Sequence, residues 1–289
     1  MRLSVLVNEV RPSWSPWDPF LRGTEEFVRE TASQAAAMGH KVTVYASLSR
    51  NGTCGGATYL PRGAFRPGDT TVLVKELNPI ASSPLPGRTI YWTNETDAAS
   101  RLTPDILGRL DKVVAISRWQ REHLLAGIPD VQVVPHGIYP ERYRGGTKEP
   151  GLCLYASSPD RGLDLLRECW PAIQEKAPHA RLATTYGGFS EEEMDDLYRR
   201  ADLWLHPCTG VELYCIAGRK AQAAGCIPVY FPRMALSETV EAGLSSCPAD
   251  FVADTVRALT DEVLRSEVRE RLSKVQFTTH AETVAQLLS

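Results

Sequence analysis

The densest chemistry in the chain lies at residues 203–229. An apolar strand pattern, Leu203-Trp204-Leu205, gives way to a turn carrying Glu212. A helix rich in Ala and Gly follows, then Gly225 and a second apolar strand pattern. Small residues let such a helix pack close to its neighbours. Glu212, just ahead of it, can accept hydrogen bonds from sugar or ribose hydroxyls, with helix amides behind it. An acid there can equally serve the helix dipole alone, worth a few tenths to about 1 kcal/mol.

A second constellation is Ser157-Ser158-Pro159-Asp160-Arg161-Gly162-Leu163. A strand leads into a Ser/Pro turn and then a helix. Arg161 and Gly162 lie near that helix start, where a dipole and a guanidinium can together hold a diphosphate. The plain alternative is a surface Arg on a loop. Three weaker signals follow strands or precede helices. Gly23-Thr24 can bring backbone amides to a phosphate, or simply cap a helix. Ser117-Arg118-Trp119, directly after a strand, can turn its hydroxyl and the following helix start to the expected cleft, or be a plain N-cap. His136, in Pro135-His136-Gly137-Ile138, is of a type that more often makes structural hydrogen bonds than catalyses. Gly137 beside it suggests a special backbone conformation. The chain has no D-x-D, G-x-G-x-x-G, P-loop, G-x-S-x-G or zinc-spaced His/Cys cluster, so no metal site is expected.

The elements that must position these residues alternate along the whole chain. Residues 3–7 read as a buried strand, followed by a loop at 8–23. Phe27, Thr31, Ala35 and Met38 recur at helical spacing, with Thr24 as N-cap and Glu25 and Glu26 in the first turn. Gly39 ends that helix, and 41–45 is the next strand. Further strands are expected at 71–74, 89–92, 113–116 and 131–134. Helices are expected from Thr103-Pro104 and from Ser117 to residue 125. The polar, Gly- and Pro-rich stretch 139–151 reads as a linker. Beyond it come a strand at 152–155, a helix face of Leu166, Cys169, Trp170 and Ile173, and a strand at 181–185. Ser190 to Glu193 is a capping box, and strands follow at 203–205 and 227–231. The last ~40 residues have a helical pattern.

This grammar predicts an α/β protein of two Rossmann-like, doubly wound domains facing a cleft, with parallel sheets covered on both faces. Ligands bind at the carboxyl ends of such strands. The expected domains are 1–143 and 144–270, with 271–289 a C-terminal helix packing back on the first. A length of 289 residues suits two cores. The net charge of -3 gives no general attraction to polyphosphate or anionic lipid. Seven widely spaced cysteines, several in apolar runs, read as reduced core thiols. The opening apolar run is too short for a signal peptide or a membrane span, so a soluble cytoplasmic protein is expected.

Four segments together resemble the retaining two-domain GT-B glycosyltransferases of family 4 type, in a bacterial polysaccharide-type subgroup. "GTEEFVRETASQAAAMGHKVTVYA" resembles the family's first helix and second strand. "VVAISRWQREHLL" with "VQVVPHGIYPERY" resembles its interdomain segment. "SSPDRGLDLL" stands where the family has a phosphate-binding Lys-Gly turn. "ADLWLHPCTGVELYCIAGRKAQAAGCIPV" resembles its donor-binding segment, the most specific of the four. The match covers most of the chain. There are departures. Lys220 stands eight positions after Glu212, where the family usually has a second Glu. Asn94-Glu95 stands for a His-Asp pair, and Ser157 for an Arg.

The resemblance implies sugar transfer from a nucleotide-sugar donor, a UDP- or GDP-sugar, to an acceptor hydroxyl, with retained configuration and no metal or other cofactor. It implies catalytic roles for Arg161 and Glu212. Donor phosphates would meet Gly23, Thr24, Ser157, Ser158, Arg161 and Gly162. The donor sugar and nucleotide would meet Ser117, His136, Tyr186, Gly187, Glu212, Leu213, Tyr214 and Cys215. The acceptor would lie near Asn94 and Glu95. Lipid-linked saccharide, polysaccharide, a small metabolite and modified nucleic acid stay open as acceptors, the mild acidity weighing against the last. An epimerase or phosphorylase on the same fold is the first alternative. A non-catalytic nucleotide-sugar binding protein, which Lys220 and Asn94 would favour, is the second.

Overall fold

The computed structural model describes residues 1–8, 13–185 and 188–289, in two units. Met1–Gly137 with Thr278–Ser289 make the first, and Ile138–Phe277 the second. The division falls six residues before the expected 143/144 boundary. Ile138 and Tyr143 supply the reason, because both are buried in the core of the second unit.

The first unit holds β1 (Arg2–Val7), α1 (Gly23–Ala37), β2 (Lys41–Ala46), β3 (Gly52–Cys54), β4 (Ala57–Pro61), β5 (Thr70–Val74), β6 (Arg88–Trp92), α2 (Ala98–Arg101), α3 (Pro104–Leu107), β7 (Lys112–Ala115), α4 (Arg118–His123) and β8 (Gln132–Val133). The sheet order is β3-β4-β2-β1-β5-β6-β7-β8, parallel except for the β3–β4 hairpin. Apolar runs such as Leu73-Val74 and Ile90-Tyr91-Trp92 are buried, as strands covered on both faces require. The hairpin has no counterpart in the sequence reading. Its turn is Gly55-Gly56, both at positive φ, the backbone that a two-residue hairpin loop demands.

The second unit holds β9 (Glu149–Tyr155), α5 (Leu163–Lys176), β10 (Arg181–Thr184), α6 (Glu191–Arg200), β11 (Ala201–His206), α7 (Ile216–Ala223), β12 (Ile227–Tyr230), α8 (Leu236–Thr239), β13 (Leu244–Ser245), α9 (Phe251–Thr260) and α10 (Glu262–Ser273). Its sheet is fully parallel, in the order β10-β9-β11-β12-β13. Side chains alternate between the two faces. Cys153, Leu203 and Val229 enter one apolar cluster with α5, α9 and α10, while Leu154, Trp204 and Tyr230 enter another with α6 and α7. Buried Asp202 anchors α10 by accepting from Arg265 Nη2 at 2.9 Å and Arg269 Nη2 at 2.8 Å. The expected linker at 139–151 contains a 3-10 turn, Pro140–Arg142, and the start of β9.

The final helix, α11 (His280–Leu288), belongs to the first unit. Val284 and Leu287 are buried, and with Phe27 of α1 they line a small apolar cavity of about 20 Å³. Lys112 Nζ donates to the Gln286 carbonyl at 2.6 Å, and Arg88 Nη1 to that of Leu288 at 2.6 Å. Two cations thus meet the negative end of the helix. Gly137 is explained here too. A Cβ at that position would lie 2.4 Å from the backbone nitrogen of His280, so close approach rather than a left-handed φ requires the glycine.

Candidate active site

In the second unit, two loops leave the carboxyl ends of adjacent parallel strands. One follows β9 and enters α5; the other follows β11 and enters α7. Ser158 begins a 3-10 turn, Pro159–Arg161, that Gly162 ends at φ +103. A Cβ on Gly162 would sit 2.0 Å from the Pro207 carbonyl oxygen of the other loop. One on Gly210 would sit 2.9 Å from the Asp160 carbonyl oxygen. Glycine on each side therefore lets the two loops press together. Tyr155, at the end of β9, donates its hydroxyl to the Ser158 carbonyl at 2.7 Å and braces the first loop.

This closure brings Arg161 and Glu212 into an ion pair at 3.2 Å, Nη1 to Oε2, with side-chain exposures of 27% and 13%. Burial pushes the Glu212 carboxyl above its ordinary range, and Arg161 pulls it partly back. Burial opposes the charge on Arg161, but Glu212 outweighs it and holds the guanidinium firmly charged. Asp160 lies 3.6 Å from Arg161 Nε as a second, exposed counter-charge. Beneath the pair sits His206, fully buried and stacked on Trp204 at 4.8 Å between ring centroids. Neither of its ring nitrogens has a hydrogen-bond partner. Burial, and then Arg161, lower its pKa to about 3, so it is neutral. A His206 ring nitrogen, Cys208 Sγ and a Glu212 carboxylate oxygen all lie within 4.8 Å of one another.

Several expected positions are corrected. Glu212 lies further ahead of the helix than expected: α7 begins at Ile216, and Cys215 caps it by accepting from the Gly218 amide at 3.3 Å. Glu212 sits on the preceding loop, fixed by its own carbonyl, which accepts from the Ala235 amide at 3.2 Å. Leu213 and Tyr214 are half-buried on the same loop. Ser157 and Ser158 lead into the turn that carries Arg161, with Ser158 as its N-cap. Lys220, on α7, faces α6 rather than this site. Its Nζ lies 5.9 Å from the Tyr143 ring, and its charge helps offset the burial of Asp195. Tyr186 and Gly187 lie outside the described residues.

The other candidates belong to the first unit. Thr24 is not the cap of α1. Arg22 is the N-cap, and Glu25 returns to the Arg22 amide at 2.8 Å. The Thr24 hydroxyl instead accepts from Lys75 Nζ at 3.3 Å, and Gly23 opens the helix. Ser117 is a true N-cap, accepting from the Gln120 amide at 3.0 Å. His136 is buried, with Nε2 against Asn94 Oδ1 at 2.9 Å and its ring against Phe27 and Trp92. Burial, aided by His280 and Lys75, lowers its pKa to about 3. Glu95 takes hydrogen bonds from Tyr91 and from Arg101, the latter at 2.6 Å. Asn94 and Glu95 are thus adjacent in sequence but tied to different partners.

Sequence reasoning missed the Lys75-Glu76 pair at the end of β5. Lys75 has φ +58, rare for a non-glycine residue. Its carbonyl accepts from Arg101 Nη2 at 3.3 Å and Asn8 Nδ2 at 3.4 Å. Glu76 is buried and paired with Arg62. Charge directly after a strand was the available signal. His206 and Cys208 lay inside the quoted 203–229 run but were not singled out.

No protein-family model matches the chain, and no curated protein matches it. Solved structures do. WaaG, a glycosyltransferase involved in lipopolysaccharide biosynthesis, is similar at TM-score 0.70 and 16% identity, over 99% of this chain and 99% of that one. AviGT4, a glycosyltransferase involved in Avilamycin A biosynthesis, is similar at 0.64 and 17%, over 100% and 96%. Anabaena HepE, solved with UDP and glucose, is similar at 0.70 and 13%, over 99% and 98%. At these identities the likeness is one of fold, and the chain has the GT-B fold.

Proposed function

We propose that this chain is a glycosyltransferase that moves a sugar from a UDP- or GDP-sugar to an acceptor hydroxyl, with retention and without a metal. The retaining family-4 glycosyltransferases that its sequence resembles supply the model. The supporting observation is the Arg161–Glu212 pair, set at the carboxyl ends of β9 and β11, where doubly wound sheets bind ligands. Arg161 and the Ser157–Ser158 turn would hold the donor diphosphate. Glu212, Leu213, Tyr214 and Cys215 would border its sugar, with the nucleotide near Tyr186 and Gly187.

Negative charge grows on the leaving diphosphate as the glycosidic bond breaks. A guanidinium already fixed in place stabilises that charge without reorganising. The departing phosphate would take the acceptor proton. Before the donor arrives, Glu212 neutralises Arg161, so donor binding adds a second anion to a cation that is held in place. Gly23 and Thr24 would contribute backbone amides at the start of α1, since the Thr24 hydroxyl is engaged by Lys75. Ser117 and His136 would position backbone rather than touch the donor with their side chains, which are buried and hydrogen-bonded. The acceptor would lie near Asn94 and Glu95. Among the described residues no helix is long and apolar enough to cross a membrane.

The test is a thermal-shift screen against nucleotides and nucleotide sugars. A true donor at 100 times its Kd adds about 2.7 kcal/mol. NMR of the product anomer then checks retention. A chain stabilised by no nucleotide and no nucleotide sugar would overturn the proposal.

A further inference from the structure

The loop that carries Glu212 also brings it beside two ligand residues, His206 and Cys208, that the proposed sugar transfer does not use. His206 is fully buried with both ring nitrogens unpartnered, an expensive state for an imidazole unless something else meets it. Its Nε2 lies 3.8 Å from Glu212 Oε2. Cys208, two residues on, is buried, and its Sγ lies within 4.8 Å of a His206 ring nitrogen and of a Glu212 carboxylate oxygen. Tetrahedral zinc, with bonds of roughly 2.0–2.3 Å, sets its ligands roughly 3.3–3.8 Å apart. The His–Glu edge, at 3.8 Å, is close to that length, and the Cys edges need to close by no more than about 1.3 Å. One nitrogen, one sulfur and one carboxylate oxygen form a donor set suited to zinc-like ions rather than to Mg²⁺ or Ca²⁺.

We propose that His206, Cys208 and Glu212 form a three-ligand site for a thiophilic divalent ion of the zinc class, with a fourth position open, and that this ion and the Arg161 guanidinium compete for Glu212. Arg161 has somewhere to go, because Asp160 is 3.6 Å from its Nε and largely exposed. Cys208 binds such an ion as its thiolate, so its proton leaves as the sulfur–metal bond forms, one per ion. If the donor reading above is right, and this part rests on it, a bound ion takes Glu212 from the sugar and acts as an inhibitor.

The test is titration of the donor-free protein with Co²⁺, read by absorption. We expect one equivalent to bind with a thiolate-to-cobalt charge-transfer band in the near ultraviolet and tetrahedral d–d bands in the visible. Zn²⁺ should displace it. Cys208→Ser should abolish the charge-transfer band, and Glu212→Gln should weaken binding at least tenfold. Arg161→Ala should tighten it at least tenfold by removing the rival cation. Absence of the band at millimolar Co²⁺, its survival in Cys208→Ser, or unchanged affinity in Arg161→Ala would each overturn the proposal. Failure of the donor reading shows separately, as no thermal shift with any nucleotide sugar while Co²⁺ still binds.

Discussion

Arg161→Ala perturbs both the stability of the second unit and the proposed chemistry, and the two effects can be separated. Two unit charges 3.2 Å apart attract by about 5 kcal/mol at an effective dielectric of 20. Arg161 is a quarter exposed, so solvent screening reduces its worth to Glu212 to about 2–3 kcal/mol. Removing Arg161 leaves a carboxylate with little solvent and no close cation. At roughly 3 °C per kcal/mol for a domain of this size, the melting temperature should fall by about 6–9 °C. Glu212→Gln removes the stranded charge, so the double variant should melt above Arg161→Ala, with a coupling of about 2 kcal/mol. On the chemical side, kcat should fall by about 10²–10³-fold, the range for one preorganised charge-stabilising group, and donor KM should change less. Arg161→Lys should recover part of both losses, since a point charge remains but the bidentate geometry does not. The measurements are thermal melts of the wild type and the four variants, and donor kinetics of those that fold. Strictly additive melting temperatures would refute the buried pair. A change in KM with kcat intact would make Arg161 a uniform binding contact and end its catalytic role.

Other consequences are simpler to check. Gly162→Ala should cost at least about 2 kcal/mol and most of the donor-induced thermal shift, because a Cβ would meet the Pro207 carbonyl at 2.0 Å in a left-handed turn; a variant as stable as wild type would show that the two loops are not closed as described. His136 and His206 have folded pKa values near 3 against an ordinary 6.5. The unfolded chain therefore binds more protons between about pH 3 and 6.5, so their contribution is complete above 6.5 and is lost as pH falls through that window, by up to about 1.4 kcal/mol per pH unit for each histidine. His206→Phe keeps the stack on Trp204 and should flatten the fall in melting temperature between pH 6.5 and 5; an unchanged slope would mean that His206 is hydrated. Transfer activity and slow donor hydrolysis should survive EDTA, and complete loss with rescue by Mg²⁺ or Mn²⁺ would overturn metal independence.

What the sequence made legible follows from which forces act locally. Continuous apolar runs such as 71–74 and 203–205 mark strands buried on both faces, because burial of every side chain leaves no polar alternation to confuse them. Ser117 and Ser190 were readable as caps because a hydroxyl three residues before an orphan amide is a local arrangement. Thr24 looked the same and was misplaced, because Arg22 is the N-cap, its amide donating to the Glu25 carboxylate, and Lys75, more than fifty residues away, claims the Thr24 hydroxyl. The β3–β4 hairpin was missed because strands of three and five residues carry too few side chains to show a period. The site divides in the same way. Arg161 and Glu212 could each be named from the turn that holds them, but their pairing is set by β9 and β11 lying side by side. His206 is the sharper case: in sequence it is the last residue of an apolar strand, next to a proline. Only strand pairing, the stack on Trp204 and the return of Glu212 turn it into a buried imidazole with two unused nitrogens. A residue's type is legible from one position, whereas its unmet hydrogen-bonding capacity belongs to the packing, which is why the strongest clue to further chemistry lay in a segment already quoted and went unread.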